Sequence, residues 1–177
     1  MKTLKKIILV CLLFITVGAI AQTDKDKKIM KDATKAKNTL IVKDAGLEKF
    51  FNNASGYAIF PNVGKGGLIV GGASGNGVLY ENGKPVGMTA LKKLNIGLQA
   101  GGQAVIEVIF FETDAALAKF KEGNYEFSAE ASAVIADEGK SENVNYNDGV
   151  VVFALPKAGL MADASVGGQK FEYHPFE

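Results

Sequence analysis

A chain of 177 residues with 47% apolar content is long enough to bury a core, and its single cysteine, Cys11, excludes an internal disulfide framework. The 20 basic residues stand against 19 acidic ones, and all of them are lysine; there is no arginine and no tryptophan. Without the arginine fork that grips guanine edges and phosphates bidentately, sequence-specific nucleic-acid recognition is not expected.

The first residues read as a leader. Lys2, Lys5 and Lys6 precede an apolar run from Ile7 to Ile15, and Ala19 and Ala21 supply the small-x-small pattern of signal peptidase. Cleavage is expected before Gln22, giving a signal peptide over 1–21 and a single domain over 22–177. The apolar run is too short for a comfortable membrane span. Cys11 lies deep within it after the bulky Val10, so lipidation there is not expected. The remaining chain has no cysteine, which fits an exported protein of a bacterial periplasm or cell envelope, or a secreted one, better than a disulfide-stapled module.

Residues 22–53 are expected to form a helical arm and 54–177 a β-rich body. Between Asp24 and Asn53 there is no proline and one glycine, Gly46. Ile29, Ala33, Ala36, Leu40, Leu47 and Phe51 fall within about 60° of one another at helical pitch, with Lys27, Lys28, Lys31, Lys35 and Lys49 opposite. The periodicity predicts an amphipathic helix over about 25–52, interrupted near Gly46. The arm carries eight lysines and five acids over 23–52, whereas 53–177 carries nine lysines and fourteen acids. A basic arm on an acidic body is the one electrostatic feature of the chain.

After Gly56 the texture changes to short apolar runs. "YAIF" (57–60) reads as a strand stopped by Pro61, and "GGLIVGGAS" and "GVLYE" read as strands on either side of "SGNG". Asn82–Gly83 is expected at the centre of a hairpin turn. "QAVIEVIFFET" (103–113) is the plainest strand. A short helix is expected over 114–121, capped by Thr113 or Asp114 and ended by Gly123. "YEFSAEASAVIA" alternates as one strand, with Phe127, Ala129, Ala131 and Ala133 on one side. "GVVVFAL" and "GLMADASVGG" are expected to pair around Pro156–Lys157. The fold class is α+β: an amphipathic helix, then a strongly curved, mainly antiparallel sheet or small barrel with one inserted helix.

The glycines between Phe60 and Lys84 do not cradle phosphate. Lys65 is followed by Gly66 where a Walker loop needs Ser or Thr, and GxGxxG fails because Ile69 and Tyr80 stand at its last position. No helix pattern follows to receive an anion. Gly67, Gly71, Gly72 and Gly75 read instead as structural glycines that let a strand coil tightly. "GLIVGGA" (67–73), "GLQAGGQ" (97–103) and "GLMADAS" (159–165) echo one another without a regular period, as similar places in a sheet would.

"YAIFPNVGKGGLIVGGASGNGVL", "IGLQAGGQAVIEVIFF" and "KAGLMADASVGG", in that order, resemble the successive signatures of the SYLF family, the lipid-binding domain also called the actin-regulator domain of yeast endocytic proteins. The resemblance covers nearly all of the chain after the leader. It implies phosphoinositide or general anionic-lipid binding, partly through an N-terminal amphipathic helix; some fungal members also bundle actin filaments. "GMTALKKLNIG" stands where the family commonly has Trp-Ser-x-Pro, and neither an SH3 nor a FYVE module accompanies the domain. Outside the cell actin would not be met, so actin is not expected as a partner.

Enzyme chemistry finds little support. The one histidine, His174, lies four residues from the end, and without another histidine or a mature cysteine neither a triad nor a zinc site is expected. No cofactor is expected. Paired carboxylates remain open, for example Glu107 with Glu126 or Glu130 from adjacent strands, although charged strand residues usually lie on the solvated face. The expected function is an exported, non-enzymatic domain associating with anionic phospholipid surfaces. Charge would come from Lys25, Lys27, Lys28, Lys31 and Lys35, and insertion from Ile29, Met30 and Leu40. The alternative is an envelope interaction module that binds another protein and whose helix only packs.

Overall fold

The computed structural model describes residues 23–66, 70–96, 103–123, 126–127, 132–134, 140–157 and 169–176. The expected leader and its cleavage site lie outside them.

Thr23 opens the arm. Its hydroxyl accepts from the Asp26 N–H at 3.2 Å while the Asp26 carboxylate accepts from the Thr23 N–H at 3.1 Å, a reciprocal capping box that satisfies two N-terminal donors of α1 (Asp24–Lys43). The helix ends at Asp44, whose backbone is extended, and resumes after a 3-10 turn, Ala45–Leu47, as α2 (Glu48–Asn53). The interruption near Gly46 is therefore where the sequence places it. Asp44 is fully buried there. Its carboxylate accepts from the Gly46 N–H at 3.0 Å and from the Ser141 N–H at 2.9 Å, tying the break in the arm to a segment nearly a hundred residues away.

Among the described residues eight strands follow: β1 (Gly56–Gly66), β2 (Val70–Glu81), β3 (Lys84–Ile96), β4 (Gln103–Phe111), β5 (Glu126–Phe127), β6 (Ser132–Val134), β7 (Val150–Pro156) and β8 (Gln169–Pro175). Between β4 and β5 lies α3 (Asp114–Lys121), capped by the Thr113 hydroxyl and ended at Gly123, whose φ is +77°. The sheet order is β5-β8-β3-β2-β1-β4-β7-β6, antiparallel throughout except for the parallel pair of β6 and β7. Asn82 and Gly83 both take positive φ in the β2–β3 turn, as the hairpin signal requires.

Two expectations need correction. Pro61 does not stop a strand: β1 runs through it, and the register slips between Phe60 and Val63, so the proline sits at a bulge where no ladder donor is needed. "SGNG" is not a turn either, because β2 continues through it in unbroken register with β3. Gly77 has to be bare, since a Cβ there would lie 2.5 Å from the Ile59 carbonyl oxygen. Of the alternating stretch after Tyr125, Glu126–Phe127 and Ser132–Val134 are described, and residues 128–131 between them lie outside the described residues. β5 pairs with β8 and β6 with β7, at opposite ends of the strand order.

The placement of β5 and β6 at opposite ends of the order fixes the curvature. Across a flat sheet, the seven steps between β5 and β6 would separate them by about 34 Å. Yet Phe127 and Ser132 are five residues apart, a reach of about 18 Å at most. The sheet must curl until its two edges approach. Both of its faces are covered. Tyr57, Ile59, Val108, Phe110, Val151 and Phe153 pack against the arm, while Ala58, Phe60, Ile109, Phe111, Val150 and Val152 pack with α3 on the other side. Burial on both faces is why "YAIF" and "VVVFAL" are continuously apolar instead of alternating. The strand expected at "GLMADASVGG" lies outside the described residues; the next described strand is β8, which pairs with β3 and β5.

Candidate functional site

Helical periodicity divides α1 between sheet and solvent. Ala33, Ala36 and Leu40 are buried on the sheet, and Ile29, Met30 and Ile41 pack half-buried beside them. Lys25, Lys27, Lys28, Lys31 and Lys35 are all exposed, and the Asp24–Lys27 contact at 3.7 Å is a surface pair of little strength. Lys27, Lys28, Lys31 and Lys35 lie on the side opposite Leu40, whose exposure is zero, while Lys25 is exposed in the first turn. Of the three residues expected to insert, Leu40 is used inside the domain, and Ile29 and Met30 face its core with part of their surface.

Two arm lysines take other positions. Lys37 Nζ donates to the Tyr57 hydroxyl at 3.2 Å and lies 4.5 Å from the Phe51 ring centroid, and burial holds its pKa below the usual lysine value. Lys49, expected among the outward lysines, donates from Nζ to the Glu142 carbonyl at 3.0 Å and lies 5.0 Å from the centroid of Phe50. Both pin the arm instead of widening the basic surface. Conversely, the sequence reading missed Val42. It is 85% exposed and stands seven residues from Lys35 and eleven from Lys31, on the same side of the helix. An exposed valine amid lysines was legible only as an interruption of the polar face.

The remaining candidates are dispersed. Glu107 is buried on β4, whose sheet neighbours are β1 and β7, whereas Glu126 lies on β5 beside β8. The two are not on adjacent strands, and Glu130 lies outside the described residues. His174 is exposed on β8 opposite Met88. No group of three or more metal-ligating side chains occurs among the described residues. Gly67 is not described. Gly71 and Gly72 lie within β2 opposite Asn95 and Leu94. A Cβ on Gly75 would stand 3.0 Å from the Asn62 carbonyl oxygen at the β1 bulge.

These residues sit on a curled antiparallel sheet with an amphipathic arm docked by its apolar side and lysine-bearing on its free side. Residues 92–174 match the family model described as "Ysc84: Las17-binding protein actin regulator". Over 156 residues the chain is 31% identical to "Beta cell expansion factor A" of Aeromonas veronii, an alignment that takes in 81% of this chain and 58% of that protein. The chain therefore spans a little over half the length of that relative. With the three signatures noted in the sequence, these matches make the chain a member of the SYLF, or Ysc84, family.

Proposed function

We propose that this domain binds anionic membrane surfaces through the outer face of α1 while the arm stays docked on the sheet. One observation carries the reading: the apolar side of the arm is consumed by the core, and Lys27, Lys28, Lys31 and Lys35 are left exposed on its free side with Lys25 exposed in the first turn. Each lysine held near an anionic leaflet contributes on the order of 1 kcal/mol, less as salt screens it. Val42, exposed on the same side of the helix as Lys31 and Lys35, supplies a shallow apolar contact farther along the face that meets the head groups. The leader pattern over 1–21 supports action outside the cytoplasm, on an envelope or secreted-side surface.

Replacing Lys27, Lys28, Lys31 and Lys35 together with glutamine tests it. Co-sedimentation with phosphatidylcholine vesicles containing phosphatidylglycerol should fall at least tenfold in affinity at low salt and change little at high salt. Unfolding midpoints should move by no more than about 0.5 kcal/mol, because all four side chains are exposed. Unchanged binding by the variant would leave the arm with packing alone.

A second reading rests on where the family match falls. Residues 92–174 exclude the whole arm, and the family's description is that of a protein-binding regulator. On that reading the sheet body binds a protein partner, and the lysine variant would retain full function.

A further inference from the structure

α1 packs mainly over β1 and β2, and on the side turned toward β4 and β7 it presents the small Ala36. The β1 bulge brings Pro61 and Asn62 to the same place, and Pro156 and Lys157 close it from the end of β7. The result is an open cavity of about 590 Å³, within the range of sites that hold one small ligand. Its floor is apolar: Ala36, Ile106 and Leu155, all buried. Its rim is cationic from two separate elements, with Lys35 on the helix and Lys157 after β7. Lys157 Nζ donates to the Asn62 side-chain oxygen at 3.2 Å, which holds the ammonium over the mouth.

We propose that this cavity is a binding site for one long-chain fatty acid, the acyl chain lying on Ala36, Ile106 and Leu155 and the carboxylate between Lys35 and Lys157. An apolar floor with charge confined to the rim selects an amphiphile over a wholly polar solute, because a polar ligand would leave its own groups unpaired on the floor. Two lysines with the single acid Asp32 give the lining a net charge of one, which matches a monovalent carboxylate better than a dianionic phosphate. This site shares only Lys35 with the outward lysine face and takes a monomer from solution, so it does not depend on membrane binding.

The test is titration of the whole domain with cis-parinarate, followed by fluorescence below the micellar concentration and then displaced with oleate. Saturable binding at one molecule per chain is expected. Lys157→Glu, an exposed substitution, should weaken it at least tenfold, and Ala36→Leu, which fills the floor, should abolish it. Oleyl alcohol should displace the probe at least tenfold less well than oleate. Replacing Lys27, Lys28 and Lys31 with glutamine should leave fatty-acid binding intact even as vesicle binding falls, so the two readings fail separately. Absence of stoichiometric binding would overturn the proposal, as would equal displacement by the alcohol or indifference to Lys157→Glu. If Ala36→Leu fails to fold, Lys157→Glu and the alcohol comparison decide alone.

Discussion

Replacing Leu40 with alanine asks whether the arm belongs to the domain or merely rests on it. Leu40 has no exposed surface and belongs to the cluster that includes Tyr57, Tyr80 and Phe110. Removing a buried leucine side chain loses its transfer free energy and leaves a cavity that aromatic neighbours fill poorly, about 2–5 kcal/mol in total. Tyr57 and Tyr80 stack at 5.0 Å and Tyr57 meets Phe51 edge-on at 5.0 Å, so these rings have little freedom to collapse inward. A value near 3 kcal/mol would lower Tm by roughly 6–12 °C in a domain of this size. Urea unfolding followed by far-ultraviolet circular dichroism measures it, with a reduced midpoint expected at unchanged slope. If the midpoint moves by less than about 0.5 kcal/mol, the arm is not docked in solution. Membrane contact through Ile29, Met30 and Leu40 would then replace contact through the lysine face.

The close approach of β2 to β1 makes Gly77→Val destabilising by about 1–3 kcal/mol, since its Cβ would meet the Ile59 oxygen at 2.5 Å and Phe60 at 2.7 Å. Gly64→Ala, with nothing within 4 Å of its Cβ, should stay within about 0.5 kcal/mol in the same thermal melts. Asp44→Ala strips the acceptor from the Gly46 and Ser141 N–H groups and should cost roughly 2–5 kcal/mol by urea unfolding, with no cost refuting the tie between the arm and residue 141. At high pH, burial first and Glu112 second push the Tyr146 phenol up to about 12, and burial also raises Tyr57, Tyr80 and Tyr173. Between pH 10 and 12 the folded chain keeps protons that the unfolded chain has lost, so stability should be full below pH 10 and fall as pH rises through 12. Lys37, lowered by burial, acts in the opposite sense below 10.5. Tyrosinate absorbance at 295 nm should show ionisation delayed beyond pH 10, and Tyr146→Phe should remove the latest step.

The sequence by itself determined the parts whose cause is local. Thr23 and Asp26 cap the arm from three residues apart, Asn82–Gly83 supplies the positive φ of a hairpin, and Thr113 with Gly123 brackets α3. The division of α1 into an apolar and a lysine side follows from helical pitch alone, and the three signatures carried the family. Tertiary structure decided what depends on partners distant in sequence. Pro61 stays within β1 because neighbouring strands absorb its missing donor at a bulge. Residues 126–127 pair with β8 and residues 132–134 with β7, at opposite ends of the strand order, which no local pattern encodes. Leu40 and Lys35 sit five residues apart on one helix, yet the sheet buries the first and leaves the second in solvent. Which apolar residues of an amphipathic helix meet lipid and which meet protein depends on whether a second apolar surface is already there to cover them, and periodicity does not encode that surface. The cavity over Ile106 and Leu155 is a property of four separate elements, so its lysine rim, drawn from residues 35 and 157, exists only in the folded chain.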